Sequence, residues 1–380
     1  MPIESLNGLK VALVHDWLIS PGGAERVLKE FVTLFPEAPI FTALYDKKTM
    51  GSMFAEARVI ASYMQRIPFA RKHYRKMLAL MPRAFEEFDL SDFDLVLSSS
   101  SCCAKGIISS ASALHISYVH TPMRYAWESY PDYIREVGFL TRLAMRIQMT
   151  RIRQWDALSG IRVDKYLANS REVAARIAKT YRRDAVVLHP PVRTDFYSLG
   201  PNPDRYEDYY LIVSRLVAYK RVDLAINACN RLGRKLIIIG SGPQEEKLKK
   251  LAGSRIYFLG QVSDNEIREH YRSCRALLFP TFEDFGITPV EAQACGKPIV
   301  ALGRGGALDT VIPGLTGVFF DEQTENSLID GIRELEDHHW DSTKIRVHAE
   351  KYDRKIFLSK LQSFVLEALN AFHNIEHRVL

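Results

Sequence analysis

The chain is poor in the features that would place it across a membrane or in an oxidised compartment. Nowhere in its 380 residues does an apolar run approach the roughly 20 positions that a spanning helix needs. Its opening, MPIESLNGLK, has no long apolar core, so no secretory leader is expected. There are five cysteines, Cys102, Cys103, Cys229, Cys274 and Cys295. Adjacent Cys102 and Cys103 make a poor disulfide pair, and none of the spacings suits a structural zinc site. A reducing cytoplasm is the expected compartment. With 21 Gly, 17 Pro, 47% apolar and 25% charged residues, a disordered or collagen-like chain is excluded. No repeat recurs at a fixed period. At roughly 150 residues per domain, the length predicts two domains.

Charge is present in modest excess and unevenly placed. The whole chain carries a formal +6. Residues 1–190 hold 26 Lys+Arg against 19 Asp+Glu, and residues 191–380 hold 25 against 26. The positive excess lies in the first half, so an anionic partner is expected there.

Short β-branched runs alternate with helical patterns. LKVALVHDW (9–17) reads as a buried parallel strand, followed by the turn ISPGG and a helix over 24–35. Further strands are predicted at 39–44, 94–98, 114–119 and 163–168, with a helix at 171–181. HPPVRTDFY (189–197) reads as a connector, because its two prolines resist helix and central strand alike. The pattern then restarts. Strands are predicted at 209–214, 235–240, 255–260, 276–280, 297–302 and 317–320. The helices between them fall at 221–232, 244–252, 264–273 and 289–295. The expected fold is α/β: two Rossmann-like, doubly wound parallel sheets facing across a cleft. The first domain spans 1–190 and is completed by a C-terminal helix at about 354–380. The second spans 195–353. In such folds ligands sit at the carboxyl ends of the strands.

The densest chemistry lies in EDFGITPVEAQACGKP (283–298). It follows an apolar strand and opens a helix near Pro289, a residue favoured in a first helical turn. The amides of Phe285, Gly286, Ile287 and Thr288 would present a helix N-terminus, which attracts anions. Glu283 and Glu291 could accept hydrogen bonds from sugar hydroxyls. A solvated acidic helix start is the plain alternative.

These residues resemble the E-x7-E signature of retaining glycosyltransferases of the GT-B fold, and family 4 in particular. The resemblance covers almost the whole chain. It includes HDWLISPGGAERV (15–27), HTPMRYAW (120–127), ANSREVAARI (168–177), SRLVAYKRVD (214–223), GSGP (240–243) and GRGGALDTVIPGLTG (303–317). Within the family the chain is most similar to bacterial mannosyltransferases of O-antigen and exopolysaccharide assembly.

The resemblance implies a role for each motif. Arg215 and Lys220 would hold the donor diphosphate and stabilise the charge building on it, with no metal ion. Their chemistry agrees, since Arg is a rigid fork and Lys a compact cation. Gly22 and Gly23 would let the backbone approach the diphosphate or sugar; a tight turn without ligand is the alternative. His120 would stand near the reacting sugar, donating a hydrogen bond or polarising the site. Arg124, Tyr125 and Trp127 offer an acceptor platform or core packing. Asp16 either meets the acceptor or caps a helix. Gly242 in GSGP and Val262 in GQVS (260–263) would border the nucleotide base. A dinucleotide reading of GSGP is weak, because Glu245 stands where a third glycine belongs. Glu291 would bind ribose, while Glu283 and the amides of 285–288 would hold the donor sugar. GRGG (303–306) shapes a neighbouring turn, and Cys295 is a packed small residue.

Two basic segments remain. YMQRIPFARKHYRKMLALMPRAF (63–85) mixes Arg and Lys with Met, Leu, Phe and Tyr, and Arg142, Arg146, Arg151 and Arg153 share a predicted helix. They suit an anionic membrane surface or a plain solvated face equally. No nucleic-acid motif accompanies them. The resemblance thus implies hexosyl transfer with retention. The donor is a nucleotide sugar, with GDP-mannose the first candidate, and no cofactor is expected. The acceptor is a hydroxyl of a glycan or polyprenyl-diphosphate-linked sugar, at the inner face of the cytoplasmic membrane. Domain closure would expel water during the transfer. An epimerase or phosphorylase of this fold, or a non-catalytic sugar-nucleotide-binding protein, are the alternatives.

Overall fold

The computed structural model describes residue 6, residues 8–128, residues 130, 131 and 134, and residues 138–379, leaving aside the side chains of 139–141, 144 and 375–379. The chain divides into two compact units. Unit 1 comprises Met1–His189 with Phe357–Leu380, and unit 2 comprises Pro190–Ile356.

Unit 1 is built on a seven-stranded sheet. Its strands are β1 (Val11–His15), β2 (Ile40–Thr42), β3 (Val59–Ala61), β4 (Leu95–Ser100), β5 (Leu114–Val119), β6 (Lys165–Ala168) and β7 (Ala185–Val187). They lie in the order β3-β2-β1-β4-β5-β6-β7, all paired in parallel. β1, β4 and β5 are buried throughout, so their apolar runs need no alternation. The helix Gly23–Leu34 turns Val27, Leu28 and Phe31 onto this sheet. The last helix, Arg354–Val379, adds Phe357, Leu361, Val365 and Leu369 to the same core. Its ring at Phe357 stacks on Phe31 with centroids 6.5 Å apart. β3 and β7 escape the sequence pattern. Each has three residues, lies at an edge and is only partly covered, too little for a period to register.

Unit 2 repeats the plan with six strands, β8 (Tyr210–Val213), β9 (Leu236–Ile239), β10 (Ile256–Gly260), β11 (Ala276–Phe279), β12 (Ile299–Leu302) and β13 (Gly317–Phe320). Their order is β10-β9-β8-β11-β12-β13, again wholly parallel. In each sheet the winding direction reverses beside its first strand. The reversal lies between β1 and β4 in unit 1, and between β8 and β11 in unit 2. Loops at the carboxyl ends of the two strands diverge there and leave a crevice.

The basic stretch 63–85 is not one amphipathic helix. It breaks into a 3₁₀ turn at Tyr63–Arg66, a helix at Ala70–His73, a second 3₁₀ segment at Tyr74–Leu80 and a helix at Met81–Glu86. Met64, Ala70, Met81 and Phe85 anchor these pieces in the core. No helix among the described residues is long and apolar enough to cross a membrane.

Candidate functional site

The crevice of unit 2 gathers most of the expected donor residues. Arg215 follows β8 in an exposed position. Among the described residues its guanidinium has no recorded ion-pair or hydrogen-bond partner. Lys220 ends the 3₁₀ turn Ala218–Lys220 and forms an ion pair with Glu283, which follows β11. Both side chains are mostly covered, at 16% and 21% exposure. After Glu283 the backbone turns at Gly286, whose φ of +87° lies in the region glycine tolerates, and the helix Ile287–Ala294 begins. Its first-turn amides have no intrahelical acceptor and carry the positive end of the helix dipole. Arg215 and the Lys220–Glu283 pair thus lie in the loops after β8 and β11, the two strands that flank the switch point, and the helix Ile287–Ala294 starts in the second of these loops.

Glu291, one turn into that helix, is 4% exposed and accepts a 3.0 Å hydrogen bond from the Tyr271 hydroxyl. Burial, reinforced by the Glu291 charge, holds the Tyr271 phenol well above its usual range, so it stays protonated and donates. Phe285 is buried against Tyr352, with centroids 5.8 Å apart, so its side chain belongs to the core. Val262 likewise leans on the core, beside the capping box of Ser263 and Glu266. Cys295 is fully buried, and burial pushes its thiol up to about 12, so it is no nucleophile.

The glycine motifs act as braces. A Cβ at Gly240 would fall 1.9 Å from the Ser214 carbonyl oxygen, and one at Gly242 would fall 2.4 Å from that of Leu216. GSGP therefore lets its backbone press on the loop that carries Arg215. This gives Gly242 a packing reason that needs no nucleotide base. GRGG does the same for the other wall. The Gly306 N–H donates to the Glu283 carbonyl at 2.9 Å, and a Cβ on Gly306 would lie 2.2 Å from the Phe285 Cα.

Unit 1 rearranges the expected acceptor residues. Asp16 is 2% exposed, and its carboxylate accepts from the amides of Ser101, Cys103 and Ala104 at 2.6, 2.8 and 2.8 Å, and from the Ser101 hydroxyl at 3.0 Å. That is the capping alternative: Asp16 ties the loop after β1 to the loop after β4, with its oxygens already engaged. Tyr125 turns inward as well, its hydroxyl 2.7 Å from the Cys102 sulfur. Trp127 donates to Asp156 at 2.7 Å. Both aromatics take the packing side of their two readings. Arg124 stays half-buried in the same turn.

His120 follows β5, and its environment contains residues that the sequence reading passed over. Its Nε2 lies 2.8 Å from the Ser99 hydroxyl, and Ser99 lies 3.0 Å from His15 Nδ1. His15 Nε2 in turn faces a Glu25 carboxylate oxygen at 3.4 Å. Burial, helped by nearby His15, holds His120 down to about 3, so its ring is neutral near pH 7. Gly22 has a local task here, since a Cβ on it would fall 2.8 Å from the Glu25 carboxylate. Gly23 opens the helix that carries Glu25. His15 and Glu25 stand in HDWLISPGGAERV, but nothing in that string tells that a serine 84 positions after His15 joins them.

Two wholly parallel α/β units, of seven and six strands, are the architecture of the GT-B glycosyltransferases. Anabaena HepE, solved in complex with UDP, has this fold: it is 18% identical, with a TM-score of 0.71, covering 94% of this chain and 99% of that one. Residues 21–196 match Glycosyltransferase Family 4, and residues 200–355 match Glycosyl transferases group 1. The chain belongs to glycosyltransferase family 4. Among curated relatives, it is 29% identical to the GDP-mannose-dependent alpha-(1-6)-phosphatidylinositol monomannoside mannosyltransferase of Mycolicibacterium smegmatis, over 44% of this chain and 51% of that protein. It is 26% identical to the D-inositol 3-phosphate glycosyltransferase of Mycobacteroides abscessus, over 45% and 44%. The chain spans about half the length of the curated relatives it matches.

Proposed function

We propose that this protein transfers a hexosyl group, with retention, from a nucleotide sugar to an acceptor hydroxyl. The observation that supports this reading is the Lys220–Glu283 ion pair, which joins the loops after β8 and β11 at the switch point, with Arg215 in the first loop and a helix start in the second. Such a corner suits a diphosphate, and it stabilises the charge that grows as the glycosidic bond breaks. Arg215 supplies a fork for phosphate oxygens. Lys220, now held by Glu283, can turn to phosphate while Glu283 takes up sugar hydroxyls. Glu291 offers its carboxylate to ribose, positioned by Tyr271. No metal ion is required in this scheme. His120 is assigned to a substrate hydroxyl. The acceptor's proton passes to the departing phosphate, so no enzymic nucleophile is assigned.

GDP-mannose is the proposed donor. A named GDP-mannose-dependent relative and the resemblance to bacterial mannosyltransferases support it. The proposed acceptor is a glycan or a polyprenyl-diphosphate-linked sugar of cell-surface polysaccharide assembly, reached at the inner face of the cytoplasmic membrane. Two surfaces of unit 1 support contact with anionic lipid. Phe69 is 77% exposed, among exposed Arg66, Arg71, Lys72, Arg75 and Lys76. The helix Phe139–Ser159 exposes Leu143, Ile147 and Leu158 beside Arg146 and Arg151, while its one acid, Asp156, is buried.

The test is turnover of GDP-mannose with a mannosylated or polyprenyl-diphosphate acceptor in the presence of EDTA. Transfer persists in the chelator, and Arg215→Ala lowers kcat/KM by about a hundredfold, as losing one charged phosphate contact does. Unchanged turnover in Arg215→Ala would remove the diphosphate role.

A further inference from the structure

Four side chains that lie far apart in sequence form one buried polar chain in unit 1: Glu25, His15, Ser99 and His120. Glu25 is 7% exposed, His15 2% and Ser99 0%. Burying a carboxylate and three further polar groups is costly unless each is paired, so the order of donors and acceptors along the chain is constrained.

That order can be read from its acidic end. Glu25 lies in the first turn of the helix Gly23–Leu34, where the helix dipole favours the anionic carboxylate. Gly22 leaves the room that the carboxylate fills. An ionised carboxylate only accepts, so His15 presents Nε2–H to it. Where His15 carries that single proton, its Nδ1 is an acceptor and the Ser99 hydroxyl donates to it; a second proton on Nδ1 would reverse the order along the rest of the chain. With its hydrogen committed, the Ser99 oxygen can only accept from the ring beyond, so His120 presents Nε2–H to Ser99. In that order the remaining nitrogen of His120, Nδ1, is left with a bare lone pair. No partner is recorded for it among the described residues, and the His120 side chain is only half-buried.

We propose that Glu25, His15 and Ser99 are positioning residues that lock His120 in one tautomer, with Nδ1 presented as a hydrogen-bond acceptor to a substrate hydroxyl. This rests on the glycosyl-transfer reading and reverses one of its details: His120 receives a hydrogen bond from the sugar and does not donate one. A hydroxyl aligned in this way has its oxygen lone pairs free for other donors. A substrate that lacks that hydroxyl, or carries a methyl ether in its place, leaves Nδ1 without a partner and is discriminated against.

The tautomer is observable without any substrate. In the full-length protein labelled with 15N-histidine, long-range 1H–15N correlation spectra separate a protonated from a bare ring nitrogen. The resonances missing from His120→Asn identify the ring. The wild type is expected to show Nε2–H and bare Nδ1 at His120 at pH 7. Ser99→Ala and Glu25→Leu are expected to release the ring into a mixture of both tautomers, while Ser99→Thr, which keeps the hydroxyl, restores the single form. A wild-type His120 protonated on Nδ1, or a mixture that Ser99→Ala and Glu25→Leu leave unchanged, would overturn the proposal. The wild-type spectrum decides even if one variant does not fold. With GDP-mannose as donor, Ser99→Ala should lower kcat about tenfold or more with its KM within about twofold. Equal kcat in Ser99→Ala and wild type would also count against it. Glycosyl transfer can fail while the tautomer is still fixed, so the two readings fall separately.

Discussion

Lys220 has a carboxylate partner and Arg215 has none recorded, and this difference predicts opposite costs for removing them. Arg215→Ala leaves no buried group unpaired, so its unfolding free energy in urea should stay within about 0.5 kcal/mol of the wild type. Lys220→Ala strands the largely covered Glu283 and should cost about 1 kcal/mol or more. Equal losses in both would mean that Arg215 has a structural role. His115 predicts a response to acid. It is fully buried on β5, its Nε2 2.9 Å from the Ser98 hydroxyl of β4, and burial, followed by the Lys105 charge, holds it down to about 3. A histidine whose folded pKa lies below its unfolded value takes up its proton more readily when unfolded. Its contribution is therefore fully present above about pH 6.5 and is lost as pH falls toward 3, at roughly 1.4 kcal/mol per pH unit. Urea unfolding at pH 7, 5 and 4 should fall at least this steeply, and His115→Leu should remove this share of the slope, leaving that of His120, which is also held down to about 3. An equally steep profile in that variant would assign the acid loss elsewhere.

At the scale of elements, the site loops are held by backbone packed on backbone. Gly306→Ala would drive a methyl group into the backbone of Phe285 and Asp284, and should destabilise unit 2 by about 1–3 kcal/mol while shifting the loop that carries Glu283. A urea midpoint unchanged from wild type would show that the turn can give way. The same contacts explain which parts of the site were legible in the sequence. A motif such as EDFGITPVE announces itself because strand, turn, proline and helix are contiguous. The capping role of Asp16 was readable only as one of two options, because its partners sit 85 to 88 positions away. The chain from Glu25 to His120 was not readable at all. It exists only because β1 and β4 pair in parallel, which sets His15 opposite Ser99, and because β5 ends beside them. For the strands, apolar runs buried on both faces were easily seen, whereas β3 and β7 were too short and too exposed.

For the whole molecule, two sheets with matching winding order account for both matched family segments, and each sheet places its polar groups at its own switch point. The final helix belongs to the core of unit 1 through Phe357, Leu361, Val365 and Leu369, so Leu361→Ala should cost about 2–5 kcal/mol. The basic, apolar-studded surfaces of unit 1 predict sedimentation with vesicles containing phosphatidylglycerol and little with phosphatidylcholine alone, the difference fading as salt rises. Equal binding to both would leave those faces simply solvated. In the proposed function, the β8/β11 crevice grips a nucleotide sugar by its diphosphate. The most direct test of that grip is the thermal stability of wild type and Arg215→Ala across GDP-, UDP- and ADP-sugars. At a hundred times its Kd, a bound donor adds about 2.7 kcal/mol. GDP-mannose should raise the wild-type melting temperature by several degrees and leave Arg215→Ala nearly unmoved. No shift with any nucleotide sugar, or the same shift in both proteins, would contradict the account.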